Sequence, residues 1–176
     1  MKIAIVGLGY VGLPLCLQFA RNGAQVVGLD IDPKKVEAVN AGRSYIEHIP
    51  AAAIKELTSA GKLTASTSFA EVKNVTAVII CVPTPLNKNR EPDISYIIET
   101  GRAIAPYLQR GTLVSLESTT YPGTTDEDLR LVLEQGSKLT AGKDFYLAFS
   151  PEREDPGNPD SKVAQIPKVV GGFTPA

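Results

Sequence analysis

Short apolar runs alternate with amphipathic segments along most of this 176-residue chain. An apolar run without alternation is typical of a parallel strand covered on both faces, whereas apolar residues spaced three and four apart predict a helix. Predicted strands occupy residues 3–6, 25–29, 63–65, 77–82, 112–116 and 145–149. Predicted helices occupy residues 33–40, 51–60, 69–72 and 94–108, with others beginning near residues 11 and 124. This alternation predicts an α/β fold with a doubly wound parallel sheet, formed as a single domain over residues 1–176.

The first predicted strand leads into a turn that contains Gly7, Gly9 and Gly12. In the spacing G-x-G-x-x-G, the first glycine permits a tight turn, the second leaves room for a pyrophosphate, and the third lets the helix lie close to the strand. The helix N-terminus adds unpaired N–H groups and a partial positive charge that suit an anion. The sequence therefore predicts a dinucleotide-binding turn, with a purely structural glycine turn as the alternative.

Asp30 directly follows the second predicted strand, 18 positions after Gly12. A carboxylate at this spacing accepts hydrogen bonds from ribose hydroxyls and repels a 2′-phosphate, so NAD is favoured over NADP. Asp32 competes for this role, but it does not directly follow the apolar run. Lys35 lies on the first turn of the next helix, where it either reaches towards the adenosine end of the cofactor or is a solvated surface lysine.

Two more predicted strands end in residues that belong near the same crevice. Cys81 and Val82 end the fourth strand and Thr84 follows it, while Ser118 and Thr119 follow the fifth. In an open parallel sheet, ligands bind outside the carboxyl ends of the strands, so these residues are predicted to lie beside the cofactor. Cys81 is predicted to be structural, because no basic neighbour in the sequence lowers its pKa.

The residues beyond the fifth and sixth strands have simpler interpretations. Thr124 and Thr125 are predicted to cap a helix, because acidic residues fill its first turn. Residues 150–159 place four charges between prolines. Spacing alone leaves two interpretations open for this segment, a rigid solvated loop and a polar wall of the site.

Composition limits the classes of function. The formal net charge of −1, with both signs scattered along the chain, gives no footprint for nucleic acid and no polybasic membrane patch. No apolar run approaches the ~20 residues of a membrane span, so a cytoplasmic protein with small-molecule partners is expected. Two cysteines, Cys16 and Cys81, are too few for a disulfide framework or a zinc site, and no metal is expected. The single histidine, His48, has no G-x-S-x-G motif to accompany it, which argues against a hydrolase triad.

Four ordered motifs resemble the UDP-glucose/GDP-mannose dehydrogenase family. They are the glycine turn with Tyr10-Val11, residues 81–85 (CVPTP), residues 117–120 (ESTT), and residues 149–153 (FSPER) with Pro156-Gly157. The resemblance covers essentially the whole chain and implies a Rossmann-like NAD-binding domain. Residues 152–158 are most similar to the bacterial branch of the family that acts on UDP-N-acetylhexosamines.

The resemblance implies a reaction of polysaccharide biosynthesis, in which the C6 alcohol of a UDP-sugar is oxidised to a carboxylate with two NAD per turnover. A cysteine captures the intermediate aldehyde, a second hydride leaves to give a thioester, and water hydrolyses that thioester. UDP-N-acetylglucosamine is the expected substrate, with UDP-glucose and UDP-N-acetylmannosamine as alternatives.

The motifs and the resemblance together assign candidate site residues. Thr119 is expected to hold the catalytic water, Glu152 to assist proton transfer, and Arg153 and Glu154 to border the sugar nucleotide. Lys35 stands where many relatives have arginine. The expected NAD contacts are Gly7, Gly9, Tyr10, Val11, Gly12, Asp30, Lys35, Val82, Thr84, Ser118 and Thr119.

One feature departs from the family pattern, because the nucleophilic cysteine and the active-site lysine and asparagine of the family lie farther downstream than residue 176. The chain is therefore expected to be the NAD domain of a longer, homo-oligomeric enzyme, without the central helix and the C-terminal UDP-sugar domain. Alone it is expected to bind cofactor without turnover. The alternatives are a stand-alone NAD-binding or redox-sensing module and another Rossmann dehydrogenase of the hydroxyacid or phosphogluconate type, which leaves the FSPER segment unexplained.

Overall fold

A computed structural model describes residues 1–151 and 168–175. Its strands are β1 (Lys2–Val6), β2 (Gln25–Leu29), β3 (Leu63–Ser66), β4 (Ala77–Ile80), β5 (Leu113–Leu116), β6 (Tyr146–Phe149) and β7 (Gly171–Gly172). Its α-helices are α1 (Gly12–Arg21), α2 (Pro33–Asn40), α3 (Ala51–Ser59), α4 (Ser95–Ile104) and α5 (Arg130–Ser137). Short 3₁₀ segments at Phe69–Asn74 and Ala105–Tyr107 and a π-helical turn at Thr124–Leu129 complete these elements.

The strands form one sheet in the order β3-β2-β1-β4-β5-β6-β7, which confirms the predicted doubly wound architecture. All pairs from β3 to β6 are parallel, and β7 is antiparallel to β6. The chain winds from β1 towards β3, then crosses back to place β4 on the other side of β1. This reversal opens a crevice above the carboxyl ends of β1 and β4, where open α/β sheets bind ligands.

The register brings the strand ends to one level. Val6 pairs with both Leu29 and Ile80, Ile80 pairs with Leu116, and Leu116 pairs with Phe149. The residues that follow β1, β2, β4 and β5 therefore leave the sheet at the same edge, so segments far apart in sequence meet there.

Two apolar layers cover the faces of the sheet, as the unalternating strands predict. Ile3 and Ile5 of β1 face the layer that contains Leu13 of α1 and Ile54 of α3. The intervening Ala4 and Val6 face the layer that contains Ile97, Ile104, Leu133 and Phe145. Because both faces of β1 are buried, its position and that of the turn after it are fixed by the core.

Several boundaries differ from the sequence-based elements by one or more residues, including the ends of β4 and α4. β4 ends at Ile80, two residues before the predicted end, so Cys81 and Val82 belong to the connecting loop. The helix predicted to reach residue 108 tightens into a 3₁₀ turn after Ile104, because Pro106 has no N–H with which to continue an α-helix.

The predicted capping by Thr124 and Thr125 is wrong. The N-cap is Gly123, at a φ of +98° that favours glycine, and no side chain caps the helix. Thr124 is fully buried, and the Thr120 hydroxyl donates to Thr124 Oγ1 at 2.6 Å. The N–H groups of Glu127 and Asp128 both donate to the Gly123 carbonyl, which widens this turn into a π-helix.

Two kinds of feature are absent from the described residues, namely a membrane-spanning helix and a metal-binding group of side chains. Within residues 1–151 and 168–175, no helix is long and apolar enough to cross a bilayer. In these same ranges, no group of three or more His, Cys, Asp or Glu side chains is placed to hold a metal ion.

Candidate functional site

A cavity of about 690 Å³ opens above the carboxyl ends of β1, β2, β4 and β5. Its walls contain nearly all of the predicted cofactor residues. These are Gly7, Gly9, Tyr10, Val11, Asp30, Lys35, Val82, Thr84, Ser118 and Thr119. The fold thus brings together residues from four separate loops, as the strand-end argument predicts.

The three glycines of the turn meet different steric demands. Gly7 has a φ of +96°, and a Cβ there would lie 2.6 Å from the Cys81 carbonyl oxygen. A Cβ on Gly12 would lie 1.8 Å from the carbonyl oxygen of Gly7, so α1 reaches its observed position only without a side chain. A Cβ on Gly9 would meet nothing within 4 Å, although Gly9 lines the cavity. Gly7 and Gly12 are therefore required by packing, whereas the bare backbone of Gly9 faces space that a ligand can fill.

The start of α1 offers backbone donors to this space. Val11 is the N-cap of α1, and its side chain makes no capping hydrogen bond. Among the described residues, the N–H groups of Gly9, Tyr10 and Val11 make no hydrogen bond. Donors of this kind beside the positive end of a helix suit a pyrophosphate, so the turn fits the dinucleotide that its sequence predicts.

Asp30 lies beside the turn and is only 7% exposed. Its Oδ2 accepts a hydrogen bond from Leu8 N at 2.8 Å, and its Oδ1 accepts one from Asp32 N at 2.9 Å. The competing carboxylate of Asp32 instead caps α2, where it accepts from Lys34 N at 2.9 Å. The structure therefore gives Asp32 a helix-capping role of its own.

Lys35 is not an isolated surface lysine. Its Nζ lies 3.2 Å from Asp30 Oδ2, and its side chain lines the cavity. The ammonium offsets the charge of the buried Asp30 carboxylate and extends the polar side of the crevice. This arrangement fits the adenosine end of a cofactor.

Hydroxyl groups tie together the loops that follow β4 and β5. Ser118 Oγ donates to the Val82 carbonyl at 2.8 Å, and Thr84 Oγ1 donates to the Thr119 carbonyl at 2.5 Å. The two crossed hydrogen bonds link the loops that form this wall of the cavity. Thr119 itself is exposed and lines the cavity.

Both cysteines lie outside any disulfide. Cys16 is buried within α1, and burial raises the pKa of its thiol well above the ordinary range, which makes it unreactive. Cys81 is buried in the cavity wall, and its backbone N–H donates to the Val6 carbonyl at 2.8 Å. The predicted catalytic Glu152 and the predicted substrate residues Arg153 and Glu154 lie outside the described residues.

Sequence reasoning missed a buried carboxylate in the cavity wall. Glu117 is 6% exposed, and its Oε2 forms an ion pair with Lys168 Nζ. The two residues are 51 positions apart, so no local pattern links them. The pair connects the end of β5 to the segment that precedes β7.

Removing the ammonium tests how much this pair contributes. We expect Lys168→Met to lower the free energy of unfolding by about 1–3 kcal/mol, because Glu117 is left buried without its charged partner. Urea denaturation followed by circular dichroism measures the change. Lys168→Arg is the matched control, and Glu117→Gln combined with Lys168→Met should recover part of the loss. A decrease below about 0.5 kcal/mol would mean that solvent satisfies Glu117 without Lys168.

Comparisons with known proteins agree with this geometry. Residues 1–176 match the NAD-binding domain of the UDP-glucose/GDP-mannose dehydrogenase family. The UDP-N-acetyl-D-glucosamine 6-dehydrogenase of Pseudomonas aeruginosa is 37% identical over 175 residues, which are 99% of this chain and 40% of that enzyme. The UDP-N-acetyl-D-mannosamine dehydrogenase of Pyrococcus horikoshii is 40% identical over 175 residues, which are 99% of this chain and 41% of that enzyme.

A solved structure is similar over the same range. The crystal structure of NDP-N-acetyl-D-galactosaminuronic acid dehydrogenase from Methanosarcina mazei Go1 has a TM-score of 0.91 at 33% identity, covering 99% of this chain and 39% of that one. The chain thus spans about two fifths of the length of these relatives. The family match decides against a dehydrogenase of the hydroxyacid or phosphogluconate type. This chain belongs to the UDP-glucose/GDP-mannose dehydrogenase family, in which it corresponds to the NAD-binding domain.

Proposed function

We propose that this chain is the NAD-binding part of a longer, cytoplasmic UDP-sugar 6-dehydrogenase that oxidises UDP-N-acetylglucosamine. The observation that carries the proposal is the cavity itself. The backbone of Gly9 faces this cavity with no protein atom in the way of a ligand, and the buried Asp30 lies beside the glycine turn. Bound NAD would supply the hydride acceptor for both oxidation steps. UDP-N-acetylmannosamine is the alternative substrate, because enzymes named for each sugar are similarly close relatives.

Each part of the cavity has a proposed role in holding the cofactor. The N–H groups that begin α1 would bind the pyrophosphate, and Asp30 would accept hydrogen bonds from the adenosine ribose. Val82, Thr84 and Ser118 would form the wall beside the nicotinamide end, held by the two crossed hydrogen bonds. Lys35 would remain paired with Asp30 and border the adenosine.

Catalysis requires groups beyond those that hold the cofactor. We propose that the hydroxyl of Thr119, an exposed residue of the cavity wall, orients the water that completes the oxidation. Glu152 would assist proton transfer, and Arg153 and Glu154 would border the sugar nucleotide. Oxidation of the C6 alcohol to a carboxylate removes two hydrides and consumes one water. The cysteine that would hold the intermediate belongs to the longer, homo-oligomeric protein, so the 176-residue chain is proposed to bind NAD without turning over substrate.

Replacing Asp30 tests the cofactor assignment. Asp30→Ala removes the acceptor for the ribose hydroxyls, so we expect the affinity for NAD to fall about tenfold, as for the loss of one or two hydrogen bonds. The preference for NAD over NADP should narrow, because the carboxylate no longer repels a 2′-phosphate. Calorimetric titration with each cofactor measures both effects, since the chain has no tryptophan to report binding by fluorescence.

Asp30→Asn is the matched control, because it keeps the side-chain size while removing the charge. Unchanged NAD affinity in both variants would contradict the role given to Asp30. In the longer protein, NADH formation with UDP-N-acetylglucosamine, UDP-N-acetylmannosamine and UDP-glucose would identify the substrate. NAD binding without oxidation of any of them would favour a stand-alone NAD-binding module.

A further inference from the structure

The segment between α2 and α3 contacts the glycine turn, although sequence reasoning treats it only as a connector. The hydroxyl of Tyr45 donates to the Leu8 carbonyl at 2.7 Å, across 37 residues of sequence. The ring of His48 stacks on that of Tyr10, with centroids 6.1 Å apart and planes inclined by 27°. Residues 43–50 thus touch the turn at two points, beside the residues that line the cavity.

This connector is itself held rigidly. Ile46 and Ile49 are buried in the same apolar layer as Leu8. Ser44 Oγ donates to the Ile46 carbonyl at 2.9 Å and accepts from Ile46 N at 3.2 Å. A side chain supported in this way can fix the position of its hydrogen-bond partner, because its own movement would disturb the core.

The Tyr45 contact acts on the peptide group that joins Leu8 to Gly9. A peptide group is planar, so its C=O and N–H point in opposite directions and are fixed together. Tyr45 holds the C=O of this group, and the N–H of the same group belongs to Gly9, which lines the cavity. The preceding peptide group is fixed separately, because Leu8 N donates to Asp30 Oδ2.

We propose that Tyr45 is a positioning residue for the pyrophosphate of the cofactor, because its hydroxyl holds the Leu8–Gly9 peptide with the Gly9 N–H directed away from Tyr45 and into the crevice. This inference rests on the proposed NAD-binding function. A donor held in place before the ligand arrives loses less conformational freedom on binding, which raises affinity. Tyr45 does not itself line the cavity, so it acts only through the turn.

The Tyr45 hydroxyl keeps its proton under ordinary conditions. Burial, with a smaller contribution from the nearby Asp30 carboxylate, raises the pKa of this phenol above its usual value. The hydroxyl is therefore available to donate to the Leu8 carbonyl at neutral pH.

Tyr45→Phe removes the hydroxyl and keeps the ring, so it isolates this hydrogen bond. We expect the dissociation constant for NAD, measured by calorimetry, to rise about three- to tenfold. Binding of adenosine, which contains the base and ribose but no phosphate, should change by less than about twofold in a ligand-observed NMR titration. A merely structural role would weaken both ligands alike.

Tyr146→Phe is the matched control, because Tyr146 lies on β6 and does not line the cavity. It should bind both NAD and adenosine like the unaltered chain. Unchanged NAD affinity, or equal losses for NAD and adenosine, would overturn the inference and leave the proposed function standing. Failure of the unaltered chain to bind NAD would overturn both.

Discussion

Gly9→Ala is expected to remove most of the NAD affinity while leaving the fold intact. In the absence of a ligand, a Cβ on Gly9 meets nothing within 4 Å, and Gly9 is not among the glycines with positive φ. The added methyl group would nevertheless project from backbone that lines the cavity, where a pyrophosphate must approach closely. We expect the dissociation constant for NAD to rise about 100-fold, equivalent to roughly 2.7 kcal/mol, in a calorimetric titration.

The same substitution should leave the midpoint of thermal unfolding nearly unchanged. The test is therefore whether NAD affinity is lost while stability is kept. Gly171→Ala is the matched control, because a Cβ there also meets nothing within 4 Å but Gly171 lies on β7, outside this cavity. It should bind NAD like the unaltered chain. If Gly9→Ala bound NAD within about threefold of that affinity, the cofactor would not approach the backbone at Gly9.

The fold can be predicted from the sequence wherever the pattern of apolar and polar residues is compatible with only one kind of secondary structure. Unalternating apolar runs such as residues 77–82 indicate buried parallel strands, and each of β1 to β6 overlaps a predicted strand. β7 escaped prediction because it consists of Gly171 and Gly172, which have no side chains to form a pattern. Its pairing with Phe149 and Ala148 depends on the position of β6, which the sequence does not specify locally.

Some contacts of the candidate site could be predicted from the sequence, and others could not. The glycine turn and Asp30 are separated by short, regular distances, so spacing is sufficient to propose them together. By contrast, Glu117 pairs with Lys168, 51 positions away, and Tyr45 donates a hydrogen bond to Leu8, 37 positions away. Such pairs are created by the chain path between the elements, so residue type and local spacing carry no signal for them.

The error at Thr124 has a different origin. Threonine before acidic residues is a common helix start, but here the preceding Gly123 adopts a left-handed conformation and occupies the N-cap. Residue preferences therefore predicted a helical segment here correctly, but they assigned its N-cap to the wrong residue. The hydroxyl of Thr124 is instead used inside the fold, where it accepts from Thr120.

Gly12→Ala should strongly destabilise the protein. Alanine is intrinsically better than glycine in a helix by about 1 kcal/mol, so propensity alone predicts a more stable protein. The new Cβ, however, would lie 1.8 Å from the Gly7 carbonyl oxygen and 3.4 Å from Cys81 Cβ. Since the obstruction is backbone fixed by the buried β1, α1 must move away from the sheet and lose core contacts.

Helix propensity predicts that Gly12→Ala raises the free energy of unfolding, but we expect it to fall. The decrease measured by urea denaturation should be about 3 kcal/mol or more. Gly28→Ala is the matched comparison, because its Cβ would lie 2.5 Å from Leu8 Cδ2, the far end of a side chain that can shift. Its loss should be smaller, near about 1 kcal/mol. If Gly12→Ala proved as stable as the unaltered chain, α1 would be free to move off β1, and the close contact at Gly12 would not be what fixes α1 against the strand.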